Sequence, residues 1–491
     1  MNPYLIALLV YSAFLMLLGL LIGRRVKKSA DFLVAGRSLG PGMLFATFLA
    51  ANIGAGSTVG ATGLGYRFGL SAWWWVGSAA IGTFVLSQTL GPRLWDIARL
   101  HGLNTLGDFL EFRYGKSVKA VIAVLLWAGT LAILAGQLIA ISWILNTVIG
   151  TPKWAGCLIG GIVAIVYCTA GGLMASAFVN MFELAVTMSG LLLAVPFALH
   201  HMHGWTHMTQ MIAANNGGMQ ASAWRFNIAG IGAHPIFAYI VILTTSFMIS
   251  PGLVQKLYGA RDRKAVRLGI GINSLGQAIF GFVPPILGLC AFAAFPHLAN
   301  PELALPMAMK LLLPKWLGMW AVASIFSAEL SATDAILFML STSLVVDLYK
   351  TFLRPNIGEK DLLFASRLTA ALAGVLGITL AQILPSIIAA VSIFYSLLAV
   401  SLFVPVVAGL YSRRVFSQAA LSSITAAIAS MLLVLHLTAG RGWWILSPQA
   451  FGIGAAALVM LAFRIFHPSG SGGGLSLAQE VPAGQNALRQ I

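Results

Sequence analysis

The chain reads as a succession of long apolar stretches separated by short polar loops. Tyr4 to Gly23, Met43 to Tyr66, Leu70 to Leu90, Val121 to Val148, Trp154 to Thr169, Phe178 to Leu199 and Ala229 to Leu253 are the first seven. Leu268 to Phe295, Leu317 to Leu348, Leu362 to Leu384, Ile387 to Tyr411, Phe416 to Leu437 and Trp444 to Phe466 follow. A helix needs ~20 apolar residues to cross a bilayer, so the pattern predicts an all-α polytopic membrane protein with about thirteen transmembrane helices. Thr105 to Tyr114 and Pro301 to Leu313 read as short helices outside the spans. A tight turn is expected at Ala170-Gly171-Gly172-Leu173.

Two spans carry polar groups where lipid would penalise them. Leu317 to Lys350 holds Ser327, Glu329, Ser331, Thr333 and Asp334 in its middle. Carboxylates at membrane depth face a cavity or the bundle interior rather than lipid. Met43 to Tyr66 is interrupted by Asn52, Gly54, Gly56, Ser57, Thr58, Gly60 and Gly63. Such a run weakens a helix, and broken backbone within a membrane must be buried in protein or line water. Small residues in either span could serve close helix packing alone. Two such segments, one in each half of the chain, point to a secondary transporter with an ion site between them.

Composition agrees: 59% of the 491 residues are hydrophobic and 9% are charged, against ~25% charged in soluble domains. The net charge of +16 does not indicate nucleic-acid binding, because the basic residues cluster in alternate short loops. One set is Arg24, Arg25, Lys27, Lys28 and Arg37; another is Arg93, Arg99, Arg113, Lys116 and Lys119. Lys256, Arg261, Arg263, Lys264 and Arg267, then Lys350, Arg354 and Lys360, then Arg413 and Arg414 complete the series. The positive-inside rule places these loops in the cytoplasm, the N-terminus outside and the C-terminus inside, in a cell (inner) membrane. Cys157, Cys168 and Cys290 lie in apolar spans and form neither a disulfide framework nor a metal motif. His200, His201, His203 and His207 lack matching Cys or carboxylate groups and read as part of a solvated loop.

Met43 to Leu199 and Ala229 to Tyr411 each hold five spans and each begin with a polar, interrupted one. An odd number of spans per unit gives opposite orientations, as in an inverted repeat. The expected organisation is a first helix and basic loop (1–40), a first repeat (41–200), an extracellular loop (201–228) and a second repeat (229–411). Two peripheral helices (412–466) and a disordered Gly- and Ser-rich cytoplasmic tail (467–491) follow.

Several short motifs then fall in order: Ala35-Gly36-Arg37, the broken helix, Tyr167-Cys168-Thr169-Ala170-Gly171-Gly172-Leu173, Val254-Gln255-Lys256 with Ala260-Arg261-Asp262, and Ser331-Ala332-Thr333-Asp334 with Asp347-Leu348-Tyr349-Lys350. Together they resemble the sodium/solute symporter family, whose members carry proline, pantothenate, sugars, sialic acid or monocarboxylates. The resemblance implies a five-plus-five inverted-repeat, LeuT-like core. It also implies a sodium site from the carbonyls of Ala50, Ile53 and Ala328 and the hydroxyl of Ser331, with Ala332 at the position of a further ligand. The family has a second hydroxyl where this chain has Ala332, with Thr333 one residue on, and an acidic residue where this chain has Asn180. Both departures put sodium coupling in question. Glu329, with Asp334 and Thr333 nearby in sequence, is a candidate for proton or ion coupling in compensation; a structural hydrogen bond is its other reading.

By position in the resemblance, Asn52, Ser57, Trp75, Gln137 and Phe247 would line the substrate cavity. No Lys or Arg is expected in a span near it. The reading is therefore a secondary transporter, not an enzyme, that couples uptake of a small organic solute to a cation by alternating access. Sodium is the first choice of coupling ion, with no other cofactor. Proton or weak ion coupling through Glu329 is the alternative, and a channel or membrane sensor a distant one. The solute, stoichiometry and oligomeric state are not read from the sequence.

Overall fold

The computed structural model describes residues 2–23, 35–412 and 415–466, with the side chains of 16, 18–23, 35, 167–178 and 359 left aside. The basic residues Arg24, Arg25, Lys27, Lys28, Arg413 and Arg414 and the tail 467–491 therefore lie outside the described residues, as does the Cys168 side chain. Among the described residues the chain is helical, with two isolated bridges and no strand. Among these described residues ten helices are long and apolar enough to cross a membrane, and Pro3–Leu15 and Lys153–Val166 are shorter apolar ones.

The first span is α1 (Pro3–Gly23). The first half of the chain contains α2 (Pro41–Asn52), α3 (Val59–Phe68), α4 (Trp73–Val85), α5 (Leu106–Tyr114), α6 (Lys116–Ile149) and α7 (Lys153–His201). The second half contains α8 (Thr245–Ile249), α9 (Pro251–Tyr258), α10 (Arg263–Phe280), α11 (Val283–Ala294), α12 (Lys315–Thr342), α13 (Glu359–Ile383) and α14 (Ile387–Tyr411). Two peripheral helices, α15 (Ser417–Leu437) and α16 (Pro448–Phe466), pack on each other and on α14.

The local chemistry accounts for the boundaries. Pro41 and Pro251 sit at the first turns of α2 and α9, where proline's missing N–H costs nothing. Thr105 and Asp108 close a capping box on α5. The Asp262 carboxylate accepts from Ala265 N at 2.7 Å to start α10. That amide, and Arg261 beside it, hold the Asp262 carboxyl below the usual range. The span expected from Trp444 begins later, at Pro448, because Trp443 and Leu446 pair in a tight turn. Close packing relies on glycine: a Cβ at Gly65 would meet Pro285 Cα at 2.6 Å, and one at Gly288 would meet Thr62 O at 2.5 Å. This brings α3 against α11.

Each half holds a broken helix. In the first, α2 leaves helical geometry at Ile53 (φ −98°, ψ 95°) and α3 resumes after Thr58. In the second, a π-helical turn at Ile240–Thr244 precedes α8, and Ser250 (φ −56°, ψ 122°) separates α8 from α9. The two breaks meet α12 and α14 in the middle of the bundle.

One basic end of the bundle gathers Arg37, bonded to Ala98 O and Leu103 O; Arg99, bonded to Arg261 O; and Arg113, bonded to Gly409 O and Ser412 O. The opposite end holds Lys310, bonded to Thr147 O, and Glu302. Helical assignment runs through all of α7, yet its arms pack as two spans. Gly156 and Gly161 lie against Ser142 of α6 and Ile378 of α13, while Gly190 lies against Ser324 of α12 and Phe197 against Trp316. The turn expected at 170–173 belongs to the stretch 167–178, whose side chains are outside the described set.

Candidate functional site

The first break supplies freed carbonyls. In a continuous helix Gly54 N would close on Ala50 O and Ser57 N on Ile53 O. Here Gly54 N donates to Ser57 Oγ at 3.1 Å, and Ser57 N to Gly54 O at 2.9 Å. The Ser57 hydroxyl in turn donates to Asn52 O at 2.8 Å. Gln137 Oε1 of α6 accepts from Ala55 N at 2.8 Å and pins the loop from the other side. The break is thus held in shape while Ala50 and Ile53 keep their carbonyls for another partner.

That partner space is a small pocket walled by Ala50 and Ile53 of the break, Glu183, Leu184 and Thr187 of α7, and Ala328 and Ser331 of α12. Four of the five residues expected at a sodium site therefore meet. Ala332 does not line this pocket: its Cβ stands against Gly54 on the other side of the helix, where a Cβ on residue 54 would come within 2.5 Å. Thr333 donates back to Glu329 O at 2.6 Å and also turns away.

Asn180 occupies the place expected for an acidic group and is fully used: its Oδ1 accepts from Ser331 Oγ at 2.9 Å and its Nδ2 donates to Thr47 Oγ1 at 3.0 Å. The carboxylate stands one turn further along α7, at Glu183, completely buried. The view of this pocket as lacking an acidic group is thereby corrected. Glu183 was visible in the sequence as the acidic residue of the Phe178 to Leu199 span.

The Glu329 carboxyl does not reach the small pocket and so does not fill the gap left at Ala332. Its Oε1 meets Thr58 Oγ1 at 2.6 Å, tying α12 to the start of α3. Asp334 is buried on the same helix, near Lys256 and Glu183.

Beside the small pocket lies a larger cavity of about 800 Å³, measured to its open mouth. Asn52, Ser57, Trp75, Gln137 and Phe247 all line it. Asn52 Nδ2 lies 3.4 Å from Gln277 Oε1 of α10. Tyr395 of α14, not anticipated from the sequence, completes an aromatic wall, with ring centroids 6.3 Å from Trp75 and 5.3 Å from Phe247. Lys256 of α9 also lines the cavity. Its ammonium donates to Thr47 O at 2.8 Å, and the residue is 3% exposed. This overturns the expectation that no cation lies near the cavity. Lys256 was grouped with the loop residues Arg261, Arg263, Lys264 and Arg267 that follow it, but the break at Ser250 carries α9 into the bundle.

A bundle with two broken helices, freed carbonyls beside a buried carboxylate, and an adjoining polar and aromatic cavity defines a secondary transporter of the LeuT-fold class. The family model for the sodium:solute symporter family matches residues 32–426. The chain belongs to that family. It is 26% identical over 411 residues to the sodium/pantothenate symporter of Escherichia coli, covering 80% of this chain and 82% of the relative. To the sodium-coupled monocarboxylate transporter 2 of Mus musculus it is 23% identical over 375 residues, 73% of this chain and 59% of that longer protein. A solved Na+-coupled sialic acid symporter, in a substrate-bound outward-open state, shares the fold: the TM-score is 0.78 at 14% identity, over 94% of this chain and 98% of the other.

Proposed function

We propose that this protein takes up a small organic solute across a cell membrane, driven by sodium, by alternating access. The observation that carries the reading is the pairing of the Ala50 and Ile53 carbonyls with Ala328 and Ser331 across one pocket. Sodium is a hard cation that takes oxygen ligands, as calcium and magnesium do. A sodium ion held there would join the first break to α12 and favour one state of the transporter by differential affinity. The solute would occupy the cavity between Asn52, Gln277 and the Trp75–Phe247–Tyr395 wall, where directional amides and flat aromatic faces adjoin. The alternation of basic loops supports an N-terminus outside and a C-terminus in the cytoplasm.

The test is thermal stability of the purified protein in detergent, with sodium titrated against choline at fixed ionic strength. A ligand of the folded state stabilises it by RT ln(1 + [L]/Kd). A saturable sodium shift, weakened in Ser331→Ala, is the expected result. No sodium shift in the wild type would exclude the reading.

Proton coupling through Glu329 is a second reading, supported by one feature. The Thr58 hydroxyl lies 2.9 Å from Gly54 O and 2.6 Å from Glu329 Oε1. A hydroxyl has one proton to give. Both contacts are hydrogen bonds if the Glu329 carboxyl donates its own. Loss of proton-driven uptake in Glu329→Gln, with no sodium requirement, would favour this reading over the first.

A further inference from the structure

Glu183 is the group that neither the break nor the cavity accounts for. It is 0% exposed, sits on α7 facing α2 and α12, and walls the small pocket with Ala50, Ile53, Ala328 and Ser331. Neither oxygen of its carboxylate receives a well-formed hydrogen bond. The Ser331 hydroxyl faces it, but its single proton goes to Asn180 Oδ1. Ser327 Oγ reaches the Glu183 backbone carbonyl instead of its side chain. Native proteins rarely bury a carboxylate without partners, because its desolvation is then uncompensated.

The charges around it point to the missing partner. Lys256 of α9 and Asp334 of α12 both act on Glu183, and the Tyr11 phenol of α1 faces it as well. Lys256 holds its ammonium on Thr47 O. A cation at the Ala50–Ile53–Ala328–Ser331 oxygens would give the Glu183 carboxylate the partner that its burial lacks. Ala332 offers no hydroxyl to this pocket, so the oxygen set is short by one ligand, and Glu183 stands at its edge.

We propose that the Glu183 carboxylate is a direct anionic ligand of the coupling cation in this chain. The proposal rests on the sodium reading above and deepens it. It replaces a neutral hydroxyl ligand on α12 with a charged one on α7. The bound ion thereby acquires a formal counter-charge.

The experiment is binding of radioactive sodium to the purified full-length protein by scintillation proximity at one fixed pH. The wild type, Glu183→Gln, Glu183→Asp and Asn180→Asp are compared. Glu183→Gln should raise the half-saturating sodium concentration at least about tenfold. Glu183→Asp, which keeps the charge, should bind sodium more tightly than Glu183→Gln and less tightly than the wild type; it also decides the matter if Glu183→Gln does not fold. Asn180→Asp moves a charge onto the Ser331 side and should restore part of the affinity in a Glu183→Gln background.

Sodium binding in Glu183→Gln equal to that of the wild type would overturn this proposal and leave the sodium site standing. Absence of sodium binding in the wild type would overturn both.

Discussion

Thr58 and Glu329 face each other across the first break, Oγ1 to Oε1 at 2.6 Å. The contact joins the first residue pair after the broken segment to the middle of α12, and the second carboxyl oxygen has no partner of its own. Replacing Thr58 with Val removes that hydroxyl and leaves the whole carboxyl without a hydrogen bond. A loss of ~1–3 kcal/mol in stability is expected, the cost of leaving a buried polar group unsatisfied. Glu329→Gln keeps the shape and an acceptor, and should cost less. Detergent melting temperatures of the two variants give the order; a larger drop in Glu329→Gln than in Thr58→Val would show that the charge, not the contact, is what matters here.

Ser331 donates to Asn180 and lines the ion pocket at once. Ser331→Ala should therefore lower apparent sodium affinity about tenfold, worth ~1.4 kcal/mol. It should do so with little change in the melting temperature measured in choline. An unchanged sodium titration in this variant would remove Ser331 from the site.

Lys256 faces Glu183 and Asp334 from within the bundle. Lys256→Met would take the ammonium away from two buried carboxylates, and breaking a buried ionic group in this way costs ~3–5 kcal/mol. The melting temperature in choline should fall sharply, and sodium should recover a larger share of it than in the wild type. Equal recovery in both proteins would disconnect Lys256 from the ion pocket.

Glu302 seals the opposite end of the bundle. Its carboxylate accepts from Ile387 N at 2.6 Å, the first amide of α14, and from Trp143 Nε1 at 3.0 Å. Burial nevertheless pushes its carboxyl above the usual range. A raised acid binds its proton more tightly in the folded chain, so its contribution is complete below the unfolded value of ~4.3 and declines as pH rises through the folded value. Glu302→Gln cannot ionise. Between pH ~4.3 and neutrality the wild type should lose thermal stability relative to this variant; a constant difference over that window would show that Glu302 does not titrate there.

Gly54 sits against Ala332 and Gln137, and a Cβ on it would lie 2.5 Å from Ala332 Cβ. Gly54→Ala should push the break away from α12 at ~1–3 kcal/mol, the usual range for overpacking. Sodium affinity should fall in parallel. Ala332→Gly in the same background should relieve part of both losses, and failure to do so would locate the strain elsewhere.

The spans, both breaks and the polar middle of α12 were legible because each is a local property of composition. Ala50, Ile53, Ala328 and Ser331 lay at positions that the resemblance carried over, and the five expected cavity residues do line one cavity. Local pattern could not say which polar groups would be consumed by the break itself. The Ser57 hydroxyl and the Gln137 carbonyl are spent on the backbone of residues 52–55, a contact 82 residues apart in the second case.

Hydrophobic periodicity and the placement of basic residues, both short-range properties of the chain, suffice to establish a multi-pass helical protein with two interrupted helices, because lipid admits few other solutions. Which buried charges meet was decided only by packing. Glu183, Asp334 and Lys256 are separated by up to 151 positions, like Asn180 and Ser331 beside them, and their spacing along the chain carries no trace of the meeting. Helix crossings bring them together. The packing of α7 against α12 and the break at Ser250 bring one carboxylate and one ammonium inward, where burial makes each charge depend on the others.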